Sequence, residues 1–166
     1  MLTNLTILFE RLRDAEYAHL LLEQLPLFGF LFGLLFFVIG LYLHEDKCRL
    51  VALMVILLAC GSAVYGAELR QKSMTRILQG CEITQVPFIK EQTKVRQDTL
   101  WVYYTVAGLA VLALVGGGGK LGTWLNLALM AGVASALVFS LWLHMKEAEV
   151  FHRNIKKVVN RANKVT

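Results

Sequence analysis

Proline is nearly absent from this sequence: Pro26 and Pro87 are the only two in 166 residues. Little therefore interrupts helix formation, since proline removes a backbone donor and clashes with the preceding turn. Charge is missing from four long stretches, Pro26 to Leu43, Leu50 to Ala67, Thr99 to Gly119 and Leu121 to Leu143. Each reaches about 18 residues or more, the length a helix needs to cross a hydrocarbon core about 30 Å thick. Polar alternation is missing too, and its absence excludes barrel strands; Leu34-Leu35-Phe36-Phe37-Val38-Ile39 is apolar all round. Catalytic signatures are not present either. There is no Gly-x-Ser-x-Gly, no glycine-rich loop ahead of Lys-Ser/Thr, no His-Glu-x-x-His and no Cys-x-x-Cys, so no enzyme activity is expected.

What remains is 57% hydrophobic and 17% charged, far from the mixture of a soluble domain. The fold class expected is all-α, a four-helix transmembrane bundle of up-down topology. Its spans cover about 26–43, 50–67, 99–116 and 121–143 within a bundle domain of 26–145. Lipid provides no partner for a backbone amide, so a spanning segment must satisfy its own hydrogen bonds as a helix. No cleavable signal peptide is expected, because the first apolar run begins about 25 residues in without a small-residue cleavage site.

Lys and Arg set the expected orientation. Fourteen lie before the first span, between spans two and three, or after span four, and three (Lys47, Arg49, Lys120) lie in the two short connections. Both termini and the connection 69–98 are thus expected in the cytoplasm of a bacterial inner membrane. The net charge of +5 reads as orientation plus attraction to anionic lipid headgroups, not nucleic-acid binding. Cys48, Cys60 and Cys81 fall outside, within and inside the membrane on this topology, so no two pair.

Residues 1–25 read as an amphipathic interfacial helix, with Leu5, Leu8, Phe9, Leu12, Ala15, His19 and Leu22 at helical spacing against Glu10, Arg11, Arg13, Asp14 and Glu16. Pro26 suits the first turn of the span that follows. The second helix is expected to end near Gln79 and the third to begin near Pro87, with Lys90, Glu91, Lys94 and Arg96 on exposed turns. Gly116 to Gly119 read as an outer turn, and 146–166 as a basic cytoplasmic tail. Small residues mark expected packing faces: Gly29 and Gly33, Ala59 and Ala63, and Ala128, Gly132 and Ala136. Packing within one monomer is preferred over a dimer face for Gly29 and Gly33. Asn126, Ser62, Ser135 and Ser140 are expected to bond across helices.

Titratable side chains gather at the cytoplasmic end. His19 and Glu23 precede span one, Glu68 ends span two, and His144, Glu147, Glu149 and His152 follow span four. Imidazoles and carboxylates on facing helices are the ligand types of buried metal bundles. Candidate cofactor ligands are His19, Glu68, His144 and His152; candidate metal ligands are His19, Glu23, Glu149 and His152. Interfaces are also rich in such residues without any cofactor, and that reading is preferred, as it is for His44 on the outer side.

The segment His19-Leu-Leu-Leu-Glu-Gln-Leu-Pro26-x-x-Gly29-x-x-x-Gly33 resembles a group of uncharacterised bacterial four-span membrane proteins, a domain of unknown function. Its members open with a histidine, an Asn-His-x-Pro element, a glycine and a long apolar helix. Tyr65-Gly66-Ala67-Glu68 resembles the family's Tyr-x-Thr-Gly-Glu, and Ile89-Lys90-Glu91-Gln92 its Ile-Glu-x-His; His152 or His144 stands near its last histidine. The likeness covers about residues 15 to 150 and implies architecture rather than activity. Where the family carries histidine this chain has Gln24 and Gln92, poor ligands for haem or a transition metal.

The expected function is a small multi-pass membrane protein acting as a structural or accessory module without a cofactor, in contact with the bilayer, alone, as a homo-oligomer or in a larger complex. A redox protein holding haem b or a transition metal at the cytoplasmic end is the alternative, and a small-molecule permease a third reading.

Overall fold

Helix propensity and the near absence of proline lead to five helical segments among the described residues. The computed structural model describes residues 15–116 and 119–151. Ala15–Leu43 forms α1, Asp46–Gly80 α2, Val86–Asp98 α3, Leu100–Val115 α4 and Gly119–Phe151 α5. No strand occurs among the described residues. Thr99 alone separates α3 from α4, and its hydroxyl donates to the Val95 carbonyl at 2.6 Å. The two segments act as one rod, so among the described residues four helices are long and apolar enough to cross a membrane: Leu22–Leu43, Asp46–Gly80, Val86–Val115 and Gly119–Ala148.

Short connections make neighbouring rods antiparallel. At the first hairpin His44 adopts φ 55°, its amide donating to the Leu41 carbonyl at 3.4 Å while Glu45 N–H reaches Gly40 O at 3.0 Å. This pair of bonds is the Schellman closure of a helix C-terminus, and it places a histidine where glycine is usual. The interfacial histidine of the sequence is thus a cap residue. Gly116 accepts the chain at the end of α4, and Gly119, at φ 87°, opens α5.

α1 and α2 share the most extensive interface, and the reason lies in their glycines. A Cβ at Gly29 would stand 2.6 Å from Ala59 Cβ, and one at Gly40 2.8 Å from the Arg49 backbone nitrogen. The two helices therefore approach backbone to backbone, as small residues permit when lipid supplies no hydrophobic drive. Phe30, Phe37, Ile56, Val106, Leu129 and Val133 fill the centre of the bundle. Phe30 stacks on Tyr103 of α4 with ring centroids 5.9 Å apart. On α5, Ala136 is fully buried and Gly132 faces Leu109 and Val106, whereas Ala128 is exposed.

Three expectations need correction. Pro26 lies inside α1, not in its first turn; the helix continues because a single lost amide is tolerated where neighbouring helices pack closely. Arg96 is not on an exposed turn but points into the bundle. Ser62 and Ser135 bond to the carbonyls of Ala59 and Ala131 in their own helices, the back-bonding that a helical serine can always reach. Residues 1–14 of the expected helix 1–25 and residues 152–166 of the expected tail 146–166 lie outside the described residues, whereas 15–25 run unbroken into the first span within α1 and 146–151 belong to α5. α2 ends at Gly80 and α3 begins beside Pro87, as their punctuation predicts, and all three cysteines are free.

Substituting Gly29 by Val is expected to lower stability by about 2 kcal/mol, because the α1–α2 backbones must separate. Gly108→Ala, inside α4 with open space around it, should instead raise stability by about 0.5–1 kcal/mol, the advantage of alanine over glycine within a helix. Unfolding titrations in detergent would check both.

Candidate functional site

The buried faces of α2 and α5 do not stop where the apolar runs stop. On α2, Ser62, Gly66 and Arg70 recur every four residues; on α5, Leu129, Val133, Ala136, Ser140, Leu143 and Glu147 alternate steps of four and three. Such spacings keep one face toward the core. Arg70 and Glu147 therefore enter the bundle interior at the end bearing the α2–α3 connection, where α1 supplies Glu23 and α3 supplies Arg96 and Thr93.

These groups form a closed ring of ion pairs. Arg70 donates through Nε to Thr93 Oγ1 at 3.0 Å and through Nη1 to Glu23 Oε1 at 3.1 Å. The same Nη1 pairs with Glu147 Oε1. Arg96 reaches Glu147 Oε2 at 2.7 Å and also pairs with Glu23 Oε1. All four charged side chains are only 6–16% exposed. Two guanidiniums meet two carboxylates, so the cluster is formally neutral while joining α1, α2, α3 and α5. Thr93 is itself held by a bond to the Ile89 carbonyl at 2.8 Å.

Just inside the ring lies a cavity of about 30 Å³, room for about two water molecules. Its polar lining includes Glu23, Arg70, Arg96, His144, Ser62, Tyr103 and Ser140. Tyr103 Oη and Ser140 Oγ are hydrogen-bonded at 3.2 Å, linking α4 to α5. Pro26 and Leu22 line the same space, and because Pro26 has no amide, the Leu22 carbonyl loses its usual partner there. At the opposite end Arg49 turns inward. It donates to Asn126 Oδ1 at 3.2 Å and the Ala113 carbonyl at 3.3 Å, tying the start of α2 to α4 and α5.

Of the candidate ligands named from the sequence, Glu23 and His144 come together. Glu68 is exposed on α2. His19 and Glu149 are in helices, but their side chains lie outside the described residues, as does His152 altogether. Gln24 is exposed; Gln92 is half-buried, and its Oε1 has no hydrogen-bond partner among the described residues. The candidate ligands omit Glu147 as well as Arg70, Arg96 and Thr93, because a basic residue near a span reads first as an orienting charge. The four-residue recurrence of Ser62, Gly66 and Arg70 is the signal that would have found Arg70.

One potential ligand atom each from Glu23, His144 and Glu147 lie within 4.8 Å of one another, a spacing compatible with a metal ion. The donor set fits poorly, however, because both carboxylates already serve two guanidiniums and an added dication would face two fixed positive charges. Haem fits less well. Among the described side chains the ring has one imidazole, and the cavity is far below the 300 Å³ or so of a typical small-molecule site.

No protein-family model matches this chain, and neither a curated protein nor a solved structure does. Fold and site together define a multi-pass α-helical membrane bundle closed at one end by a neutral ion cluster.

Removing one member should leave buried charge uncompensated. Arg70→Met is expected to cost about 3–5 kcal/mol, and Arg70→Met combined with Glu147→Gln less than the sum of the two single changes. A double-mutant cycle on detergent-unfolding free energies measures the coupling; strict additivity would mean the pair is not formed.

Proposed function

We propose that this chain is a small inner-membrane protein without catalytic activity, serving as a structural or accessory module of the membrane. The observation that carries this reading is the mutual ion pairing of Glu23, Arg70, Arg96 and Glu147, which leaves Arg96 Nε as the one buried nitrogen of the ring without a hydrogen-bond partner among the described residues. A site for chemistry holds groups open toward a reactant, with a general base or nucleophile within reach of it. Here each carboxylate answers two guanidiniums, and the ring joins four helical segments. Its work is to hold them in one arrangement.

Both termini and the α2–α3 connection face the cytoplasm in this reading, supported by the fourteen-to-three asymmetry of Lys and Arg. The bilayer and its anionic headgroups are the immediate partners, and the exposed apolar surface of the rods leaves space for a second copy or a larger membrane assembly. The spacing of Glu23, His144 and Glu147 favours a second reading, a transition-metal protein in which the arginines release the carboxylates.

Protein purified in detergent is expected to show no Soret absorbance and well under one metal ion per chain by elemental analysis. A haem band, or about one metal per chain lost on His144→Ala, would replace the module by the redox reading. A protease-sensitive tag after Thr166 should be cut only in inverted vesicles.

A further inference from the structure

The cluster charges share a register with exposed aromatic side chains on their own rods. On α1 Glu23 precedes Phe28 by five residues, and on the α3–α4 rod Arg96 precedes Trp101 by five. On the oppositely directed α2 and α5, Arg70 follows Tyr65 by five and Glu147 follows Trp142 by five. Chain direction alternates, so in every case the charge lies farther toward the same end of the bundle. At 1.5 Å per residue the offset is about 7.5 Å each time. Phe28, Tyr65, Trp101 and Trp142 are 44–64% exposed, and Tyr and Trp gather where hydrocarbon meets headgroups.

The opposite end has its own exposed aromatics, Tyr42 and Trp124. Along α5, Trp124 and Trp142 are eighteen residues apart, about 27 Å of helix against a hydrocarbon core of about 30 Å. Beyond the first aromatic level, Lys72 lies seven residues past Tyr65 and Lys94 seven before Trp101, and both are exposed. The Arg70–Thr93 bond sets their helices side by side at this depth.

We propose that the boundary between hydrocarbon and headgroups crosses the bundle at Phe28, Tyr65, Trp101 and Trp142, so that the ion cluster sits in the headgroup layer and Lys72 and Lys94 meet the phosphates of anionic phospholipids. The proposal rests on the membrane reading above and deepens it by assigning depth and lipid contacts. Placing the four charges outside the hydrocarbon removes most of the cost that buried ions would carry at the bilayer centre. Tyr103 and Ser140, two residues on the inner side of Trp101 and Trp142, then mark the floor of a cavity that water enters from the headgroup layer.

The test uses the full chain in vesicles of phosphatidylcholine and phosphatidylglycerol. Native tryptophan fluorescence should be quenched more by lipids carrying a nitroxide near the headgroup than by lipids labelled near the chain end. With the three cysteines replaced by alanine, a spin label on Gln71→Cys should collide more with a water-soluble nickel chelate than with oxygen, and one on Leu58→Cys the reverse. Stronger quenching from the bilayer centre, or an oxygen-rich environment at position 71, would overturn the register. Lys72→Gln with Lys94→Gln should lower the enrichment of co-purified phosphatidylglycerol by about fivefold per lysine at low salt; unchanged enrichment would overturn the lipid contacts. A chain that fails to enter vesicles at all would instead sink the membrane reading.

Discussion

A backbone amide in hydrocarbon has nothing to bond except another part of the chain. In this protein that constraint sorts every polar group by depth. Four rods close their own ladders except at the Leu22 carbonyl, which faces Pro26; serines within them turn back on their own carbonyls or, at Ser140, meet a tyrosine. Formal charge is expelled to the rod ends. The same rule makes close backbone approach the means of association, so Gly29 against Ala59 holds α1 to α2 where a soluble protein would rely on side-chain bulk.

The ring at the bundle end is the exception that the constraint tolerates. Four ions withdrawn from water cost more in lost hydration than isolated pairs usually return, so such a cluster contributes little net stability relative to a well-packed apolar core. Its effect is on choice among arrangements. An apolar end layer would accept α3 in several positions, whereas Arg96 can satisfy Glu23 and Glu147 only when α1, α3 and α5 stand in one register. Thr93 adds a second constraint on α3 through Arg70.

The rods and their ends were legible from the amino acids because length without charge has a single physical solution in lipid. Gly80 and Pro87 marked the break between α2 and α3 for similarly local reasons. The continuity of α1 through Pro26 was not legible, since a proline reads as a helix start unless the packing around it is known. The site was half legible. Glu23 and His144 stood out as titratable residues near a span, but Arg70 and Arg96 looked like surface charges that orient a chain. Nothing local distinguishes a basic residue that faces lipid headgroups from one that faces inward; only the periodicity of its neighbours does. Glu147 shows this best, because it continues the stripe of Leu129, Val133, Ala136, Ser140 and Leu143.

The ring also has an order in time. A chain made from its N-terminus presents Glu23 first, then Arg70, then Arg96, and Glu147 last. An early α1–α2 hairpin already has one balanced pair between Arg70 and Glu23. Once Arg96 arrives, two guanidiniums face a single carboxylate until α5 is threaded and Glu147 restores neutrality. A half-made protein thus differs electrostatically from a finished one by the positive charge that Glu147 answers.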